Sequence, residues 1–267
     1  MTARVIVTRP AREASRWIDA LRAEGLDARA LPLIAIEPVE DARARAALLR
    51  ARRDVAICDA AMFVSAAAVE HFFAPPPPGA GVVPGDANAP DCRRCWATGP
   101  GTTRALRQAG VDEARIDAPS EMAASFDSEA LWARVRGQVG SGTRVLIVRG
   151  GDARARPTGR DWLAREIEGA GGHVDTVVAY RRLEPRLDDG ARDLATAASR
   201  DGSIWLFSSS EALAHLRGLL PAVDWHAARA VATHERIAQA AREAGFGRVG
   251  LASPRLADLV ASIESLG

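Results

Sequence analysis

Phe63-Val64-Ser65-Ala66-Ala67-Ala68-Val69-Glu70-His71-Phe72 returns later in the chain as Phe207-Ser208-Ser209-Ser210-Glu211-Ala212-Leu213-Ala214-His215-Leu216. Phe63 and Phe207, Ser65 and Ser209, and His71 and His215 are all 144 positions apart. Two further pairs keep the same order. Arg4-Val5-Ile6-Val7-Thr8-Arg9 matches Arg144-Val145-Leu146-Ile147-Val148-Arg149, and Ala97-Thr98 running to Ala109-Gly110-Val111 matches Ala232-Thr233 running to Ala244-Gly245-Phe246. A period this long marks a duplicated domain rather than a solenoid of short repeats. Two like domains create a cleft, and clefts are where small molecules bind.

Around these echoes, strand and helix patterns alternate. Strands are expected at Arg4 to Thr8, Ala28 to Ile36, Ala60 to Val64, Trp96-Ala97, Arg144 to Val148, Val174 to Tyr180, Ile204 to Phe207, Ala230 to Ala232 and Arg248 to Leu251. Helices are expected between Pro10 and Gly25, at Ala66 to Phe73, Thr102 to Ala109, Phe126 to Val139, Arg160 to Glu168, Ser210 to Leu219, Arg236 to Ala244 and Leu256 to Ser265. Such alternation predicts parallel sheets with helices on both faces, because parallel strands need a crossover. The fold class is therefore α/β: two similar Rossmann- or flavodoxin-like domains, joined by a two-segment β linker, with a cleft between them.

The linker rests on Leu33-Ile34-Ala35-Ile36-Glu37-Pro38 and Val178-Ala179-Tyr180-Arg181-Arg182-Leu183-Glu184-Pro185. Both are apolar, extended and closed by Glu-Pro, where proline disfavours helix in the residue before it. If they pair, 36–38 and 178–182 are the crossings, 39–177 is one domain, and 1–35 with 183–267 is the other.

The 267 residues suit two such domains. No apolar run approaches the ~20 residues of a membrane span, and the chain enters a strand-like run at Val5 without a secretory signal. Cytoplasmic localisation is expected, together with a monomer. Every basic side chain is arginine, since the sequence contains no lysine. That excludes lysine Schiff-base chemistry and leaves anions to guanidinium groups, hydroxyls and backbone amides. A net charge of +1 without a basic run argues against a nucleic-acid binder. Cys92-Arg93-Arg94-Cys95 has metal-like spacing, but zinc wants four ligands and the sequence offers no second pair. No metal or cofactor is expected. The proline-rich stretch 74–91 reads as an extended surface insertion.

Chemistry is expected where strands hand over to helices. At Ser65 and at Ser208-Ser209-Ser210, and again at Thr98-Gly99-Pro100-Gly101-Thr102 and Thr233-His234, hydroxyls and free backbone N–H groups point outward together. Each of these is equally a routine helix cap. Four equivalent junctions together favour carboxylate or phosphate binding. Tyr180 is the only tyrosine, at the end of the strand entering the second crossing, either a core aromatic or a phenol able to donate a proton. Arg9 and Arg149 are repeat-equivalent strand-end arginines, paired with surface acids or holding ligand carboxylates. His71 and His215 read as structural. No dinucleotide fingerprint, P-loop or Gly-x-Ser-x-Gly elbow is present.

Taken in order, Val5-Ile6-Val7-Thr8-Arg9-Pro10, Phe63-Val64-Ser65 with Val69, Ala97-Thr98-Gly99 with Thr102, Ser120-Glu121, Val145 to Gly150, Tyr180-Arg181-Arg182, Phe207-Ser208-Ser209 and Thr233-His234 with Ile237 and Gly245 resemble the uroporphyrinogen-III synthase family. The resemblance implies cyclisation of hydroxymethylbilane, a linear tetrapyrrole with eight carboxylates, with loss of water and inversion of ring D. It implies Tyr180 as the group assisting departure of the hydroxyl. Arg9, Ser65, Ala66, Thr98, Thr102, Gly99, Arg149, Gly150, Ser208, Ser209 and His234 are implied as substrate-binding residues. A transient contact with the preceding pathway enzyme is a further expectation. The competing class is a bilobal α/β protein that binds a polycarboxylate without chemistry.

Overall fold

The computed structural model describes residues 4–75, 92–120 and 127–267. In chain order, the first half carries β1 (Val5–Val7), α1 (Ala11–Ala23), β2 (Ala28–Ala30), β3 (Ala35–Pro38), α2 (Ala42–Asp54), β4 (Ala60–Phe63), α3 (Ala66–Phe73), β5 (Cys95–Ala97), α4 (Pro100–Gln108) and β6 (Ile116–Asp117). There follow α5 (Ser128–Val135), β7 (Arg144–Gly151), α6 (Trp162–Gly169), β8 (His173–Leu183), α7 (Asp189–Ala198), β9 (Ile204–Phe207), α8 (Ser210–Leu219), β10 (Arg229–Ala232), α9 (Glu235–Glu243), β11 (Arg248–Leu251) and α10 (Leu256–Leu266). The chain divides into two compact units: Met1–Ala35 with Leu183–Gly267, and Ile36–Arg182.

In the first unit five strands lie in the order β11-β10-β9-β1-β2, all neighbours parallel. Numbered within the unit and read from the β2 edge, this is the 2-1-3-4-5 order of flavodoxin-like sheets. Side chains alternate across the strands. Val5, Val7, Ile204, Leu206 and Val231 turn to one face and pack on Ala14, Ile18 and Leu21 of α1 and Leu259 and Ile263 of α10. Trp205 and Phe207 turn to the other, where their rings meet Phe246 at centroid distances of 6.1 and 5.4 Å. The buried Trp205 indole donates to the Ala198 carbonyl at 3.1 Å, so its polar atom is satisfied.

The second unit holds six strands in the order β3-β8-β7-β4-β5-β6, parallel from β8 to β6. Ala61, Phe63, Cys95, Leu146 and Val148 pack on one face against Leu48 of α2, Phe72 of α3 and Leu106 of α4. Ala60, Met62, Trp96, Val145 and Ile147 pack on the other against Leu131 and Val135 of α5 and Leu163 and Ile167 of α6. Both faces are covered, as a parallel sheet requires. Each large side chain so buried contributes roughly 1.5–3 kcal/mol.

Internally the two sheets correspond strand for strand, β2-β1-β9-β10-β11 with β8-β7-β4-β5-β6. The sequence echoes fall on matching strands: Arg4–Arg9 with β1 and Arg144–Arg149 with β7, Phe207 and Phe63 closing β9 and β4, Ala232 and Ala97 closing β10 and β5. They differ in chain order and in β3, which adds a sixth strand beside β8. In the first unit β1 and β2 precede the other three strands, whereas in the second β7 and β8 follow them.

Several elements depart from the sequence reading. The stretch Ala28 to Ile36 is two strands in two different sheets. Leu31 and Leu33 still donate to Val7 and Thr8 of the β1 side, but Pro32 between them has no N–H, and the ladder ends before β3 begins. The helix expected from Thr102 starts at Pro100, a first-turn proline, so Thr102 sits inside the first turn and is buried. The helix expected over Phe126 to Val139 has its first residue outside the described part; α5 is capped by Asp127 and gives way to a 3-10 turn, Arg136–Gln138. The Pro-rich insertion and Glu121 also lie largely or wholly outside the described residues. No helix among the described residues is long and apolar enough to cross a membrane.

Candidate functional site

In doubly wound sheets ligands sit beyond the carboxyl ends of the strands, where strand order reverses. In the six-stranded sheet that point lies between β7 and β4. Ser65 leaves β4 there as the cap of α3, its Oγ accepting from the Ala68 N–H at 3.1 Å. The same oxygen lies 3.0 Å from the Tyr180 phenol. These residues are 115 positions apart in sequence and meet because of a register shift. Up to Arg149↔Val178 the β7 and β8 strands pair residue for residue, and then Gly150 pairs with Tyr180, skipping Ala179. A bulge of this kind re-aims a side chain.

Gly150 makes room for the ring it faces. A Cβ at that position would lie 2.6 Å from Cζ and 2.9 Å from the hydroxyl of Tyr180, so no other residue fits without displacing the phenol. The His71 ring lies 5.7 Å from the tyrosine ring, at an interplanar angle of 31°. Tyr180 is 2% exposed.

Next to this cluster Thr98 donates its hydroxyl to the Val64 carbonyl at 3.1 Å, tying the end of β5 to that of β4. Gly99 is the N-cap of α4 and brings no side chain to it. Ala66 opens α3 and is buried, so its backbone rather than its methyl group is what it offers. Arg149 is buried and gives one N–H to Asp161 at 2.7 Å and another to the Arg160 carbonyl at 3.3 Å.

The corresponding point in the five-stranded sheet lies between β1 and β9. Thr8 donates to the Leu206 carbonyl at 2.8 Å, fastening the two strand ends. Arg9 pairs with Glu13 at 3.3 Å and lies 4.7 Å from the Trp17 ring centroid. Burial lowers the Arg9 pKa from its ordinary value, with Glu13 opposing the shift. Ser209 caps α8, accepting from the Glu211 N–H at 3.2 Å, and Ser208 is half-buried beside it. His234 caps α9 through Nδ1, which accepts from the Arg236 N–H at 3.1 Å; the proton of the ring is therefore on Nε2, at an exposed position. His215 donates from Nδ1 to the Leu33 carbonyl at 2.7 Å.

Sequence reasoning found these junctions because Ser, Thr and His at repeated strand ends are visible in one dimension. It missed Asp161, which lies beyond the loop after β7. Ser210, named in the Ser208-Ser209-Ser210 junction, has a buried Oγ with no partner. Among the described residues no group of three or more His, Cys, Asp or Glu is arranged to hold a metal. Cys92 and Cys95 are free buried thiols; Cys92 donates to the Arg94 carbonyl at 2.6 Å, and the closeness of the two sulfurs pulls the Cys92 thiol down and pushes the Cys95 thiol far up.

A family model described as uroporphyrinogen-III synthase HemD matches residues 15–261. Among solved structures, the chain is similar to uroporphyrinogen-III synthetase from Helicobacter pylori, with a TM-score of 0.59 and 14% identity over 99% of this chain and 100% of that one. It is also similar to a mutant uroporphyrinogen III synthase from the extremely thermophilic bacterium Thermus thermophilus, with a TM-score of 0.52 and 17% identity over 99% and 98%. At such identities the likeness of structure speaks for the fold.

Proposed function

The chain belongs to the uroporphyrinogen-III synthase family, and from that premise we propose that it converts hydroxymethylbilane to uroporphyrinogen III, as a cyclising lyase that releases water. The observation that carries the reading is the family match over residues 15–261.

The chemistry asks little of ionisable groups. The C–O bond of the hydroxymethyl group breaks as a pyrrole nitrogen supplies the electron pair, and the departing oxygen takes a proton and leaves as water. The substituted α-carbon of ring D attacks the methylene carbon of the resulting azafulvene on ring A to give a spiro intermediate. The bond from that ring D carbon to the ring C methylene then breaks, leaving an azafulvene on ring C. The free α-carbon of ring D closes onto it and loses its proton, so that ring D is inverted. The protein's task is to fold the substrate and to place a proton donor and dipoles where charge develops.

Tyr180 is the proposed donor. Ser65 Oγ accepts from Ala68 N–H, so its own hydroxyl proton is free to turn toward the Tyr180 oxygen 3.0 Å away. In that arrangement the phenol proton is available to the leaving oxygen, and Ser65 stabilises the phenolate that remains. The proposed anchors for acetate and propionate groups are Arg9, Ser208, Ser209 and His234 in the first unit. In the second they are Ser65, Thr98, Arg149 and the backbone amides of Ala66, Gly99 and Gly150. Thr102, buried in the first turn of α4, shapes the Gly99 junction. Helix N-termini favour such anions by ~0.3–1 kcal/mol each when exposed, and eight carboxylates multiply a small term. The experiment is to follow loss of hydroxymethylbilane with and without protein. Consumption well above the spontaneous rate is expected; an unchanged rate with a bound substrate would favour the non-catalytic polycarboxylate receptor.

A further inference from the structure

Arg149 is a buried cation that is only partly served. It is 6% exposed, yet its Nε has no hydrogen-bond partner. A guanidinium meets a carboxylate best through two parallel N–H bonds. Here Asp161 offers one oxygen to one nitrogen at 2.7 Å, and the Asp161 side chain is 72% exposed. Asp161 also occupies the N-cap position of α6 without capping it: its side chain accepts no bond from that helix. A residue type suited to capping is instead turned toward the arginine.

The segment between Gly151 and α6 is folded to allow this. Thr158 donates from both its N–H and its hydroxyl to the Gly150 carbonyl, at 3.1 and 3.2 Å, and Pro157 bridges Gly151. Gly159 then passes against Arg149 with φ +104°, and a Cβ there would stand 2.6 Å from Nη2. The strap thus lies directly on the guanidinium.

The repeat supplies a second instance. Arg9, the counterpart of Arg149, also has a buried Nε without a partner. Its ion pair is a single contact to Glu13 at 3.3 Å, in the first turn of α1, a helix whose N-cap Pro10 likewise supplies no side-chain cap. Arg9 and Arg149 are the one repeat-related pair among the described residues with buried unpartnered side-chain atoms.

We infer that Asp161 and Glu13 are internal stand-ins for substrate carboxylates, holding Arg149 and Arg9 until an incoming carboxylate displaces them and engages the guanidinium through two N–H groups. The inference rests on the proposed tetrapyrrole substrate. Asp161 and Glu13 are positioning residues in this account, acting through the arginines and competing with the ligand.

The test uses the full chain and two readouts: KM and kcat with hydroxymethylbilane, and the Kd of uroporphyrin III, a stable octacarboxylate, by fluorescence anisotropy. Asp161→Asn keeps an acceptor for Arg149 and removes the competing charge. It is expected to lower both KM and Kd about two- to fivefold, the scale of an exposed ion pair, with the gain in KM rather than kcat. Glu13→Gln is expected to act in the same direction. In an Arg149→Gln background the gain from Asp161→Asn should vanish. A raised or unchanged KM and Kd in Asp161→Asn and Glu13→Gln would overturn the inference, as would a gain that persists without Arg149. Failure of wild-type protein to form type III product would instead strike the proposed function, and the uroporphyrin titration would still decide whether the carboxylates compete.

Discussion

Tyr180 and Ser65 face each other at 3.0 Å because Gly150 has no side chain and Ala179 is skipped in the β7 to β8 register. Replacing Tyr180 with Phe removes the proposed proton donor and leaves the ring; we expect kcat to fall about 10²-fold with KM little changed, and an unchanged kcat would remove Tyr180 from the mechanism. Replacing Gly150 with Ala drives a methyl group into the phenol and is expected to destabilise the chain by about 1–3 kcal/mol, read as a lower urea midpoint at constant slope. Both residues could be singled out in the sequence, Tyr180 as the sole tyrosine and Gly150 in the strand-end motif. Their contact could not. A bulge is a difference of one residue between two ladders, and nothing in the local composition of Val178-Ala179-Tyr180 announces it. Arg149 and Arg9 were likewise legible as a repeated pair, whereas Asp161 was hidden by the loop that separates it from β7.

At the scale of elements, the handover from strand to helix is where sequence and structure agree best. Helix α3 begins at Ala66 and α8 at Ser210, each capped by the serine that the repeat aligns, because a serine hydroxyl accepts a backbone N–H that the helix leaves unpaired. Ser209→Ala is expected to lose about 1 kcal/mol by this route alone. Ser65→Ala loses the cap and the bond to Tyr180 together and should cost more; equal urea midpoints for the two variants would mean that the phenol contact contributes nothing. The helices that apolar spacing does not announce are α2 and α7. Only Leu48 is buried along the arginine-rich α2, and α7 buries two alanines, so neither carries the stripe of large apolar residues by which a helix is recognised. Their start signals were present instead in Asp41 and Asp188, whose carboxylates accept from Ala44 and Ala191. Aspartate is common in loops as well as at caps, and by itself it does not fix a helix.

For the whole molecule, duplication was legible from three echoes in fixed order, and the matching strand orders give those echoes a physical basis: each marks a strand that occupies the same place in its own sheet. With 1–35 and 183–267 read as one domain, the same echoes already put β1 at the opening of its unit and β7 after β4 and β5 in the other, so the permuted order follows from the two Glu-Pro crossings rather than from the strands themselves. Residues 36–182 hold a six-stranded sheet with a core on each face, and as a fragment they are expected to fold with a single cooperative urea transition. Residues 1–35 alone should not, because β1 lies between β2 and β9 and the latter comes from the far end of the chain. Family membership supports the activity proposed for the protein, ring closure of a linear tetrapyrrole with inversion of ring D. Chromatographic separation of the uroporphyrinogen isomers formed from fresh hydroxymethylbilane tests it most directly. The type III isomer is predicted to dominate in proportion to added protein, and a product consisting only of the type I isomer, which forms without enzyme, would contradict it.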